Sequence, residues 1–239
     1  MLQVRSAPVL GLGVTGWITG GLFVMALCAL VFRKVERLGP ADRVTMTRAL
    51  LVGAVTALIA ENFVRPGPVA VIVAIASVAL VLDLVDGRVA RRSGTASEFG
   101  ARFDMEVDSF LILALSIYVS RSLGWWVLAI GAMRYTYVAA GWVFSWLRRP
   151  APPRYWCKVV AAIQGIVLTV AASGLLPWIV NLVAVAGALA LLIESFGRDV
   201  VWQWRHRDRG RRSAPAGVDV PGPAQRPVAV KQLRKPGGV

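Results

Sequence analysis

The chain has 239 residues, 56% of them hydrophobic, with a mean hydropathy of +0.62 and a formal net charge of +14. Soluble domains carry about 45–50% apolar residues without long uninterrupted runs, so one water-facing core cannot accommodate this composition. A single histidine, His206, excludes zinc chemistry, and Cys28 and Cys157 read as small apolar fillers rather than a disulfide or metal pair.

In chain order, apolar runs fall at about 10–32, 44–60, 66–85, 105–122, 124–147, 159–174 and 176–197. Each lies near the ~20 residues that cross the hydrocarbon core as a helix. The first run is too long for the 7–15-residue core of a signal peptide and has no strongly basic start, so it is expected to be a retained transmembrane helix. Its Gly16-x-x-x-Gly20 spacing allows close approach of a second helix and suggests a homodimer. Residues 39–200 hold six spans joined by short loops. From about residue 201 the chain turns Arg-, Pro- and Gly-rich without apolar period, the composition of a disordered basic tail. The expected fold is all-α: a polytopic membrane bundle with a six-helix core (39–200), one extra N-terminal transmembrane helix and basic turn (1–38), and a cytoplasmic tail (201–239).

The positive charge is distributed by topology. Arg33, Lys34, Arg37, Arg43 and Arg48 form one basic group, and Arg88, Arg91, Arg92 and Arg102 a second. Arg148, Arg149, Arg154 and Lys158 form a third, and the tail carries most of the rest. Only Arg5, Arg65 and Arg121 fall on the alternate side, with Arg134 inside a span. This positive-inside pattern predicts the N-terminus outside, the C-terminus inside and a plasma-membrane location. It assigns the charge to orientation and anionic lipid rather than nucleic acid, for which no motif is present. Trp125, Trp126, Trp142, Trp146, Trp156 and Trp178 near span ends read as interfacial belts.

The chemistry concentrates between residues 83 and 108. Asp83 and Asp86 are three apart at the end of one apolar run, and Asp104 and Asp108 four apart at the start of the next, so each pair shares a helix face. Thr95-x-x-Glu98 reads as a capping box opening the second helix, and the short connection predicts antiparallel neighbours. Four carboxylates at a membrane boundary either protonate in part or hold cations. All-oxygen donors favour Mg²⁺ or Mn²⁺, and four carboxylates suffice to bridge two ions, an arrangement suited to displacement at phosphorus. Gly87, Ala90 and Gly100 leave room for a phosphate ligand near the backbone, and Arg91 offers it a planar fork.

This stretch resembles the signature of the CDP-alcohol phosphatidyltransferase family, D-x2-D-G-x2-A-R-x8-G-x3-D-x3-D. Asp83, Asp86, Gly87, Ala90, Arg91, Gly100, Asp104 and Asp108 occupy every fixed position. At ordinary residue usage the chance of eight coincidences is on the order of 10⁻¹⁰ per starting point. The resemblance implies a six-span catalytic core and divalent metal at the CDP diphosphate, held by the four aspartates. It implies a nucleotide site lined by Gly87, Ala90, Arg91 and Gly100, and Asp108 as general base on the acceptor hydroxyl. The implied partners are a CDP-alcohol lipid donor such as CDP-diacylglycerol and an acceptor hydroxyl, phosphorylated polyols among the candidates, with CMP released. Asp42-x-x-Thr45-x-x-Arg48 is similar to an N-x-x-T-x-x-R element of glycerol-phosphate-using relatives, with Asp for Asn. Arg134 stands where those relatives carry an Arg-Glu pair, here with Tyr135 in place of Glu. Lys158 and Gln164 partly match a further basic motif. Arg134, Arg154 and Lys158 are therefore acceptor-site candidates, with Thr45 and Arg48 beside them. A purely structural reading pairs Arg134 with a buried acid such as Glu194, and makes Arg154 and Lys158 headgroup anchors.

Two rival readings are a cation transporter using the carboxylates as a relay and an inactive structural relative. The first predicts carboxylates near mid-membrane on broken helices, and the second is opposed by the complete aspartate set.

Overall fold

A computed structural model describes residues 13–32, 40–93, 98–148 and 155–206. Among these the structure is entirely helical: α1 (Val14–Phe32), α2 (Pro40–Val64), α3 (Val69–Ser93), α4 (Glu98–Leu123), α5 (Leu128–Val143), α6 (Tyr155–Ser173) and α7 (Trp178–Arg205), with short 3-10 turns at Trp125–Val127 and Ser145–Arg148. The chain divides into two units, residues 1–204 and 205–239; the tail expected from residue 201 is helical as far as Arg205, the end of α7, and from residue 207 lies outside the described residues.

Among the described residues three helical stretches are long and apolar enough to cross a membrane: Thr45–Val64, Trp156–Ser173 and Trp178–Arg205. Val14–Met25 and Val69–Asp83 are shorter apolar stretches. The bundle wears its apolar side chains outward as well as inward: Leu50, Val78, Val81, Ile166, Val183 and Ile193 are all exposed. A helix that is apolar all round suits a hydrocarbon solvent, not water. Hydroxyls bond back into their own helices, Thr56 to the Val52 carbonyl, Ser116 to that of Ile112 and Thr169 to that of Gly165. Such bonds give these hydroxyls a partner where water is absent.

Helix α2 lies at the centre of the packing, against α1, α3 and α4, while α6 lies against α3 and α4. Ala49, Val52, Val55 and Ile59 of α2 meet Ile72, Ala76 and Ala79 of α3 and Leu111, Leu115 and Val119 of α4 in one buried cluster. The expected approach of α3 to α4 is seen at Asp83, whose carboxylate lies beside those of Asp104 and Asp108, and among the described residues α2 and α6 each pack against both helices. The capping-box residue Thr95 lies outside the described residues, although α4 does begin at Glu98.

The fifth apolar run, expected to be one span over 124–147, is broken at both ends. Gly124 adopts φ 101°, open to glycine without strain, and Phe144 is extended, so α5 keeps only 16 residues. The glycine face of α1 also departs from expectation. A Cβ at Gly20 would touch Ala57 of α2, and the Gly16 amide donates to Glu61 Oε2 at 3.1 Å. The face predicted to meet a second copy is thus occupied within the chain. Phe23 completes the docking by filling the place of a side chain at Gly53 and packing on Phe110, ring centroids 5.2 Å apart.

Candidate metal and phosphoryl-transfer site

Arg48 arises in the third turn of α2, on the face that also buries Thr45 and Val52, and is itself 1% exposed. Sequence placed it among the loop charges and weak acceptor candidates; the structure puts it at the centre of the aspartates. Nη1 donates to Asp83 Oδ1 of α3 at 2.5 Å. Nη2 donates to the Asp104 carboxylate of α4 and to the Asp104 backbone carbonyl at 3.2 Å, and lies 3.4 Å from Asp108 Oδ1. A guanidinium offers five donors in a rigid fork, enough to hold carboxylates from two helices in one geometry. Each aspartate remains about one-third exposed, so the group opens to a ligand on the side away from Arg48.

One oxygen from each of Asp83, Asp104 and Asp108 lies within 4.8 Å of the others, close enough to share a cation. Three carboxylate oxygens form a hard donor set, suited to Mg²⁺ or Mn²⁺ and unsuited to soft metals. Asp86 follows Asp83 by three residues in the continuous helix α3, on the same face by helical periodicity. Its side chain, with those of Gly87, Ala90 and Arg91, lies outside the described residues. Gly100 is partly buried in the first turn of α4.

The acceptor candidates do not gather in one place that can be described. Arg134 of α5 pairs with Glu106 of α4 at 2.5 Å, which corrects the expected partner Glu194. Glu194 instead pairs with Arg198 one turn along α7 and accepts from Trp156 Nε1 at 3.2 Å. The packing of α5 on α4, close where Gly131 lets the backbone meet Leu113, brings the Arg134 side chain within reach of Glu106. Glu106 escaped the sequence reading because it lies between two motif aspartates; the unpaired charge of Arg134 inside an apolar run was the signal that some neighbouring helix must supply an acid. Lys158 is exposed on α6, and Arg154 lies outside the described residues.

Cys157, expected to be an apolar filler, faces polar partners: its Sγ is 3.7 Å from Asp199 Oδ2 and 3.6 Å from Ser195 Oγ. Tyr137 donates its hydroxyl to Gln203 Oε1 at 2.9 Å. These contacts tie the ends of α5 and α6 to α7.

The fold and site define a class: an all-helical chain with membrane-crossing helices and an acidic cluster able to hold a divalent cation at one end of the bundle. The family model for CDP-alcohol phosphatidyltransferase matches residues 39–192, and the chain belongs to that family. No curated protein and no solved structure matches it. The match begins just before α2 and ends within α7, so it takes in the carboxylate cluster and Arg48 and leaves α1 outside. Membership suggests phosphatidyl transfer from a CDP-alcohol donor to a hydroxyl acceptor, placing the chain among phospholipid-synthesising membrane transferases.

Proposed function

We propose that this chain moves a substituted phosphate from a CDP-alcohol such as CDP-diacylglycerol to an acceptor hydroxyl, releasing CMP. The observation that carries the reading is the convergence of Asp83, Asp104 and Asp108 from two helices, in a chain whose family performs this chemistry. Asp83, Asp86, Asp104 and Asp108 would hold Mg²⁺ or Mn²⁺, with four carboxylates able to serve two ions. Divalent cation bound there supplies charge neutralisation at the donor's diphosphate.

The chain's own residues do the rest. Arg48 fixes the orientation of three carboxylates, so the donor meets a preformed site. Gly87, Ala90, Arg91 and Gly100 are assigned to the nucleotide portion. Asp108 takes the proton of the acceptor hydroxyl as its oxygen bonds to the phosphorus carrying the lipid alcohol. The bond from that phosphorus to the CMP oxygen breaks, and CMP leaves with the electron pair. Arg134, held by Glu106, belongs to the acceptor side together with Arg154 and Lys158. The orientation we propose is seven spans with the N-terminus outside and the site cytoplasmic, following the distribution of basic residues.

The decisive assay is CMP release from labelled CDP-diacylglycerol in membranes containing the protein, with a panel of polyol-phosphate, serine and simple alcohol acceptors. Release should require both an acceptor and Mg²⁺ or Mn²⁺. Full turnover in excess EDTA would overturn the metal-assisted reading.

A further inference from the structure

Away from the carboxylates, α1, α2 and α4 enclose a groove of about 390 Å³ lined by Phe63, Val64, Phe110, Leu113 and Ile117 among others. The lining is almost wholly apolar, and the hydroxyl of its Thr56 is turned back to its own helix. On α2 the groove begins near residue 56 and reaches residue 64, about 12–24 Å beyond Arg48 along the helix axis. It therefore belongs to the opposite end of the bundle. Phe63, Val64 and Ile117 are exposed, so the groove opens sideways, toward the hydrocarbon if α2 crosses the membrane.

The charge at its mouth says what fills it. Arg121 donates to the Asn62 carbonyl at 3.1 Å, and its guanidinium sits 4.6 Å from the centroid of the Phe63 ring that forms the groove wall. Arg65 follows Val64 directly and is exposed. Neither arginine pairs with a carboxylate among the described residues. Glu61, the acid one turn away, is already engaged by the Gly16 amide. Basic residues are sparse beyond the spans on this side, yet the fold sets Arg121 against Asn62 and Phe63, two to three residues before Arg65 on the chain.

We infer that this groove is a binding site for an anionic phospholipid, one acyl chain lying along α2 and α4 and the phosphate headgroup held by Arg65 and Arg121. Water has no polar partners in such a lining. A second copy of the chain would set like charges against like across a twofold axis. An acyl chain with an anionic head satisfies both the lining and the rim. The site is independent of the catalytic reading and borders α1, which lies outside the family match.

Native mass spectrometry of the purified full-length protein tests it, with dioleoyl-phosphatidylglycerol and dioleoyl-phosphatidylcholine as probes. One phosphatidylglycerol should be retained with about tenfold preference over phosphatidylcholine, in keeping with two cations at a headgroup. Arg65→Gln/Arg121→Gln should lose that one adduct's preference while adducts held by other basic regions remain, and Arg65→Lys/Arg121→Lys should keep it. Ala60→Phe, which fills the groove, should weaken retention of that adduct. Should the double variant fail to fold, Arg65→Gln alone serves, since that side chain makes no described contact. Equal retention of the two lipids, or an unchanged preference in the Gln variants, would overturn the inference.

Discussion

At the scale of single residues, Asp108 and Asp83 are expected to fail differently. Asp108→Asn keeps the shape and one ligand oxygen but cannot take a proton. Turnover should fall at least ~100-fold, while Mg²⁺-dependent binding of CDP-alcohol persists in a filter or calorimetric assay. Asp83→Asn should lose nucleotide and metal affinity together. If raising Mg²⁺ restores Asp108→Asn, its role is ligation and the base lies elsewhere. Arg48 makes a third case. Removing one partner of a buried ion network costs about 3–5 kcal/mol when the rest stays buried. Because the aspartates are one-third exposed, Arg48→Met should cost nearer 2 kcal/mol. Thermal unfolding in chelator should show the loss, and Mn²⁺ should stabilise the variant more than the wild type, since cation and guanidinium answer the same three carboxylates. Equal stabilisation would separate Arg48 from the metal site.

At the scale of helices, closeness depends on small residues at crossings. A Cβ at Gly131 would stand 2.6 Å from the Leu113 Cα, a backbone atom that cannot step aside, whereas one at Gly21 meets nothing within 4 Å. Gly131→Ala should therefore destabilise by about 1–3 kcal/mol and displace α5 from α4, lowering activity through the Arg134–Glu106 pair. Gly21→Ala should be neutral or slightly stabilising. Thermal unfolding of the two variants in the same detergent checks the contrast, and similar behaviour would mean the α4–α5 spacing is not set at Gly131. The docking of α1 follows the same logic: Gly16 and Gly20 meet Glu61 and Ala57 of α2, so a bulky residue there should loosen α1 from its own chain.

For the whole molecule, the basic groups flanking the apolar runs lead to a topology prediction. A reporter fused at residue 239 should be protected from external protease on intact cells, and cleavage there would reverse the proposed orientation. The carboxylate cluster and the Arg65–Arg121 groove lie at opposite ends of the same bundle. If the first faces the cytoplasm, the second meets the outer leaflet. Labelling a cysteine introduced at residue 65 with an impermeant reagent should succeed from outside in the orientation proposed, and failure there with success from inside would invert both ends.

The sequence by itself determined what is local. Apolar runs of crossing length point to membrane-crossing helices, and the eight fixed positions between Asp83 and Asp108 point to the family the chain belongs to, because both signals are carried by spacing along the chain. Where separate helices meet, the sequence was silent or misleading. It gave Arg48 to a loop, Arg134 to Glu194 and the glycines of α1 to a second copy. Tertiary structure put Arg48 among Asp83, Asp104 and Asp108, Arg134 against Glu106 and the glycines against α2. The reason is physical. Periodicity fixes which residues share a face, but the partner of that face depends on helix order, crossing depth and the small residues that permit approach. Those are properties of the assembled bundle, and in this chain they decide which charges meet.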